Sequence, residues 1–376
     1  MKTAIKHLIL IFVIVTGNAF AQSPAWQWAR SAGSTGSEAA MGSALDARGN
    51  LYVVGWYPSA NITFGATTLT NPGSFTSDIF LVKYNSSGTA LWAKTFGSAD
   101  GDNGNGVTVD ASGNVYITGW YTGATLVMGS FTLTNATTAT SDIFIAKIDP
   151  SGNTVWAKTA GGTLGYRGLA ITADAFGNVF TTGGYSSSII NFGTGNLTNS
   201  SASTSDVFLV KHDSNGTPLW SKGVTGTGAD ISNSVATDSL GNVYITGIYS
   251  GSTIDFGVGP LANFVAGTQD LFVVKYDGLG NTVWSKRAGG SLDDYGNSIA
   301  VRKGDVYITG TYNSSSLAFG TTTLTNTSAG TGDILLAKYD LSGNSVWAKK
   351  AGGSDYEAGN AVTVDSLGAI YVSGFF

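Results

Sequence analysis

The apolar residues of this chain fall into short runs divided by turn residues. "NVYITGIY" (Asn242–Tyr249) and "DLFVVKYD" (Asp270–Asp277) are almost continuously apolar, which predicts strands buried on both faces. "SVATD" (Ser234–Asp238) precedes them and "TVWSKRAGG" (Thr282–Gly290) follows. We label the four strands A, B, C and D. "DSLGN" joins A to B and "DGLGN" joins C to D, and Asp or Asn with Gly suits tight hairpin turns.

This set of four recurs. Trp28, Trp92, Trp156, Trp220, Trp284 and Trp347 are spaced by 64 residues, with 63 in the last interval. Gly55, Gly119, Gly183, Gly247, Gly310 and Gly374, each closing a strand B, keep the same period. The single deletion falls where "DSLGN" becomes "RKGD" at Arg302–Asp305, a hairpin turn that tolerates it.

A sheet with two buried faces must lie between copies of itself. Four-stranded sheets stacked in this way predict an all-β protein, a β-propeller of four-stranded blades. The period exceeds the usual blade of roughly 40–50 residues. The excess lies between B and C, where "FGATTLTN", "MGSFTLTN", "FGTGNLTN" and "FGTTTLTN" predict an extra hairpin. A β-solenoid needs a much shorter coil, and an outer-membrane barrel needs strands of about 9–11 residues alternating between lipid and lumen.

"DASGNVYITGWY" (Asp110–Tyr121) and "DSLGNVYITGIY" (Asp238–Tyr249) resemble the bacterial SBBP repeat, named for a seven-bladed β-propeller. The resemblance runs from Trp28 to Phe376. It implies an exported bacterial protein, often a module of a larger cell-surface chain, and implies no single activity. "YDGLGNTVW" (Tyr276–Trp284) is similar to the tryptophan-docking motif of quinoprotein propellers, which implies that each ruler Trp wedges one blade onto the next without implying a quinone.

Composition agrees with this picture. Charged residues make up 11%, Gly numbers 53, and runs of helix formers are missing. "MKTAIKH", "LILIFVIV" and Ala19-Phe20-Ala21 read as a signal peptide over residues 1–21, cleaved between Ala21 and Gln22, with the propeller over 22–376. Loss of Lys2 and Lys6 takes the formal charge from −5 to −7. An acidic chain poor in Lys is a bad match for nucleic acid. Eight apolar residues are too few to span a bilayer, so no membrane span is expected after cleavage. With no Cys, stability must come from packing alone.

Catalytic chemistry has little to draw on. His212 is the sole histidine after cleavage and stands where other copies carry Tyr84, Ile148, Tyr276 and Tyr339. No catalytic residue, metal site or cofactor is expected. Asp78, Asp142, Asp206, Asp270 and Asp333 should bond backbone amides at the entry to strand C, and the Lys residues closing that strand should hold their heads at the rim. Two patterns are candidate binding sites. Ten residues after each ruler Trp stand Glu38, Asp102, Tyr166, Asp230, Asp294 and Glu357, placed in the D–A loops. These are either carboxylates that satisfy their own loops or an acidic collar facing a cation, broken in the third copy by Tyr166-Arg167. Trp56 and Trp120 follow the strand-B Gly in the first two copies only, as a sugar-stacking platform or as blade packing.

The pattern contains five complete blades and one partial blade. Trp26–Gly33 reads as a lone D strand and "AIYVSGFF" (Ala369–Phe376) as the end of an A–B pair, so the sequence is expected to be a piece of a longer chain with further domains. The resulting expectation is an exported, non-enzymatic binding, adhesion or scaffold module at a bacterial surface, its ligand a polysaccharide, a cation or a protein. The alternative is a quinoprotein-like or polysaccharide-active propeller enzyme.

Overall fold

A computed structural model of the chain describes residues 12–14, 27–71, 73, 76–137, 140–199, 201 and 204–376. Among these residues the regular elements are all strands. The order A–B–C–D recurs five times as antiparallel sheets, the first made of Ala39–Leu45, Leu51–Tyr57, Asp78–Tyr84 and Ala90–Phe96. These are sheets of the kind that form β-propeller blades, and we number them 1 to 5. An A–B pair, Ala358–Val364 and Ile370–Phe375, follows.

The expected B–C hairpin is present in each blade, for example Asn61–Phe64 with Thr67–Thr70 and Thr125–Met128 with Phe131–Thr134. The shortened turn of blade 5 closes on two residues in left-handed conformation, Lys303 (φ 49°) and Gly304 (φ 90°), directly between the paired Arg302 and Asp305. One residue is lost there without disturbing either strand.

The predicted signal segment and its cleavage point lie outside the described residues, apart from Phe12–Ile14. Those three form a short strand antiparallel to Ile370–Phe375. Trp26 is likewise outside, and residues 27–33 form no strand, contrary to the expected D strand. They are held by side chains instead. Trp28 Nε1 donates to Ser86 O (2.9 Å) and Arg30 Nε to Gly88 O (2.8 Å).

The chain divides into two compact units. One spans Ser23–Gly223, with blades 1 to 3, and the other Val224–Phe376 with the strand Phe12–Ile14. In both, the core lies between sheets rather than within them. Strand C is buried along its length in blades 1, 3 and 4. In the first unit Tyr52, Val54, Ile79 and Leu81 of blade 1 pack on Val115, Ile117, Phe144 and Ala146 of blade 2. In the second, Tyr244, Leu271 and Val273 of blade 4 pack on Val306, Ile308 and Leu335 of blade 5.

A tryptophan fastens these seams. Trp92 Nε1 donates to Pro150 O (3.1 Å), Trp156 to Ser214 O (3.1 Å) and Trp284 to Leu341 O (3.0 Å), each reaching the C–D turn of the following blade. The ring lies over the turn glycine. At Gly216, whose φ is +79°, an added Cβ would sit 2.8 Å from the Trp156 ring. Gly216→Ala therefore combines a left-handed backbone with a clash. It is expected to cost about 1–3 kcal/mol, read as a lower urea midpoint; an unchanged midpoint would show that the ring moves freely.

The strand-C lysines differ from expectation. The heads of Lys83, Lys147 and Lys275 cross the seam rather than standing at the rim. Lys83 Nζ lies 5.0 Å from the Tyr52 ring centroid and donates to Pro150 O (3.3 Å), and Lys147 repeats this with Tyr116 and Ser214 O. An aromatic face and a turn carbonyl replace part of the ammonium hydration, which makes the buried position tolerable.

Candidate functional site

The acidic positions sit at the start of strand A rather than in a free loop. Asp102, Tyr166, Asp230 and Asp294 are each its first residue, already paired with the end of strand B, as in Asp102 with Tyr121. Three of these starts, and Glu357 just before its strand, are also tied to the previous blade. Asp102 N donates to Ser77 O (2.7 Å), Tyr166 N to Ser141 O (3.1 Å), Asp294 N to Gln269 O (2.6 Å) and Glu357 N to Gly332 O (2.6 Å).

The side chains point into their own corners. Asp102 is fully buried and accepts from Ser98 N (2.6 Å) and Ser98 Oγ (3.0 Å). Asp294 accepts from Ser314 Oγ (2.8 Å), Ser314 N and Asn313 N. Asp230 accepts from Ser250 N (3.3 Å), Glu357 from Gly353 N (3.1 Å), and half-buried Glu38 from Ser59 Oγ. Tyr166 replaces the carboxylate in blade 3 and donates its hydroxyl to Ile189 O (3.2 Å) in the extra hairpin.

Burial raises two of these acids. It pushes Asp102 up to about 7 against the pull of its Ser98 bonds, and Asp294 up to about 6. The strand-C aspartates lie beside them. Asp78 is pushed up to about 7 by burial, and its charge acts on Asp102. The expected amide bonds appear at Asp142, which accepts from Ala136 N (2.9 Å), and at Asp270, which accepts from Phe264 N (2.9 Å). A feature invisible in the sequence is that Oδ1 of Asp78, Asp142, Asp270 and Asp333 is buried without a hydrogen-bond partner. Among the described residues no group of three or more His, Cys, Asp or Glu is placed to hold a metal ion.

Trp56 and Trp120 occupy one register position in neighbouring blades. Strand alternation puts Trp56 on the face that Tyr52 and Val54 present to blade 2, and Trp120 on the face that Tyr116 and Thr118 present to blade 3. Strand A of the next blade comes close here because it carries glycine. A Cβ at Gly104 would lie 2.6 Å from Val54 Cγ2, and one at Gly168 would lie 2.3 Å from Thr118 Oγ1. Arg167, just before Gly168, is thereby brought to Trp120. Arg167 is exposed, and its guanidinium lies 6.0 Å from the centroid of the half-buried Trp120 ring. At the equivalent place in blade 2, Asn103 accepts from Ser77 Oγ (3.1 Å) through its amide oxygen. The sequence patterns named Arg167 and Trp120 separately; the seam brings them together.

His212 is buried at the end of strand C in blade 3, its ring 6.4 Å from Trp156, and burial lowers it to about 4. It fills the place of the tyrosines in other blades.

Comparison with known proteins matches residues 91–123 and 219–247 to the SBBP beta-propeller repeat. Those two segments carry the SBBP repeat. Among curated proteins, an uncharacterized WD repeat-containing protein of Acanthamoeba polyphaga mimivirus is 24% identical over 418 residues, covering 93% of this chain and 30% of that protein. The chain thus spans less than a third of that relative's length. Among solved structures, the Pan2 WD40 domain of Neurospora crassa aligns with TM-score 0.43 and 10% identity, covering 90% of this chain and 89% of that one. A gluconolactonase of Xanthomonas campestris aligns with TM-score 0.39 and 11% identity, covering 90% and 86%.

Proposed function

We propose that this SBBP propeller is an exported, non-enzymatic binding module at a bacterial surface, and that it holds a polysaccharide along the seams from Trp56 to Arg167. The observation that carries the reading is the pairing of a half-buried indole with an exposed guanidinium on adjacent blades. Saccharide rings have apolar faces that stack on flat aromatic surfaces, and their hydroxyls suit planar donors. The cation reading of the acidic positions has less support, because Glu38, Asp102, Asp230, Asp294 and Glu357 all accept hydrogen bonds from their own corners.

Affinity electrophoresis through gels containing polysaccharide tests the proposal on the whole protein. Trp56→Leu with Trp120→Leu keeps an apolar side chain in each seam and removes the flat ring. The double variant is expected to lose retardation by about tenfold while its melting temperature stays close to that of the parent. Unchanged retardation with a large fall in melting temperature would make the two tryptophans packing residues.

A further inference from the structure

We infer that the seam between blades 2 and 3 selects an acidic saccharide, with Arg167 as the residue that takes its carboxylate or sulfate. The inference rests on the polysaccharide reading above and names the ligand's chemistry.

Several cations of this chain are already engaged. Lys83, Lys147 and Lys275 stack on aromatic rings and donate to turn carbonyls across a seam. Arg30 Nε donates to Gly88 O. Arg287, Lys338 and Lys350 sit 3.7, 2.8 and 3.2 Å from Asp270, Asp305 and Asp333. Arg167 belongs to neither group. Among the described residues no carboxylate lies within ion-pair distance of it, and its one ring contact is the face of Trp120. The guanidinium lies over the indole face at 6.0 Å from its centroid, on an exposed side chain, and carries five N–H donors in one plane. That plane matches a carboxylate or sulfate bidentately.

Local charge agrees. The corresponding corners of blades 2, 4 and 5 each bury an aspartate, at Asp102, Asp230 and Asp294. The corner of blade 3 has Tyr166 in that place, buried and bonded to Ile189 O, so the acid is gone and a cation stands next to it. The chain as a whole is acidic, with formal charge −5. Screening over about 8 Å at physiological salt leaves the nearby groups dominant. The neighbouring seam offers the neutral counterpart, with Asn103 and Trp56 where this one has Arg167 and Trp120. A chain of sugars crossing both seams would meet a hydroxyl-binding amide at one and an anion-binding fork at the other.

The test compares sodium alginate with dextran in affinity gels, using the whole protein, Arg167→Gln and Arg167→Lys. Arg167 is exposed, so neither variant is expected to shift the melting temperature. Alginate should retard the parent more than dextran, and raising the salt should weaken only the alginate effect. Arg167→Gln should lose about tenfold or more of the alginate affinity, the size of a charge-assisted contact, and a clearly smaller factor of the dextran affinity, where only hydroxyl contacts are lost. Arg167→Lys should recover only part, because a point charge lacks the planar fork. Equal retardation by both polymers, or an Arg167→Gln variant within about twofold of the parent on alginate, overturns the inference while leaving the polysaccharide reading intact. Failure of the parent to bind any polysaccharide overturns both. Poly-glutamate binding as strong as alginate binding, untouched by Trp120→Leu, would replace the sugar with an acidic peptide and also overturn it.

Discussion

Alanine in place of Trp156 is expected to lower the stability of the folded chain by about 3–5 kcal/mol, the usual loss for truncating a buried aromatic. Three contacts disappear together. The ring is 6% exposed, its centroid lies 6.0 Å from that of Tyr116, and Nε1 bonds Ser214 O in the next blade. Ser214 O still receives Lys147 Nζ at 3.0 Å, so the carbonyl is not orphaned and most of the loss is packing. Trp156→Phe separates the parts. It keeps an aromatic ring over Gly216 and removes only the N–H, for which about 1 kcal/mol is expected beyond the smaller ring area. Urea unfolding measures both, and a loss below about 1 kcal/mol for the alanine variant would show that the seam does not depend on its peg.

Stability is expected to fall as pH rises from 5 to 8, opposite to the behaviour of proteins held by exposed ion pairs. Burial raises Asp78 and Asp102 to about 7, and Asp270 and Asp294 to about 6, from an ordinary value near 3.8. Between those values the folded chain holds protons that the unfolded chain has released. The stabilisation is therefore complete below about pH 4 and disappears as pH climbs through 6 and 7. His212 works the other way, since burial lowers it from 6.5 to about 4 and its contribution is lost as pH falls through that window. One histidine opposes four aspartates, so the net slope above pH 6.5 belongs to the acids. Asp78→Asn, which removes the carboxylate whose shift comes from burial alone, should raise the melting temperature at pH 8 and leave pH 5 nearly unchanged. A gain of at least about 1 kcal/mol, roughly 2–4 °C, is expected. A melting temperature that climbs between pH 5 and 8 in the parent would contradict the assignment of these groups.

The strands were readable because burial on both faces leaves a continuous apolar run, and because a 64-residue period repeats every ambiguity until it cancels. The extra hairpin followed from the same arithmetic. The corners were harder. Asp102 and Asp294 read as loop acids because a residue ten positions past a tryptophan gives no sign of whether strand pairing has begun; the ladder starts on the acid itself. The lysine heads were misplaced because a partner on the neighbouring sheet, such as Pro150 O for Lys83, lies 67 residues away. Separation along the chain likewise hid the meeting of Trp120 and Arg167. Residues 27–33 carry the apolar spacing of a strand but have no ladder to join, and spacing alone cannot supply one.

The tryptophan pegs also set a schedule for synthesis. Trp92 and Trp156 precede their receiving carbonyls by 58 residues, and Trp284 by 57. At about 5–20 residues per second, a ribosome needs roughly 3–12 s to make the turn that covers a ring already emerged. A growing chain therefore always carries one finished blade whose seam is open, and a pause inside that interval prolongs the exposure of a single indole. Rare codons anywhere between a ruler tryptophan and the next C–D turn would lengthen that exposure.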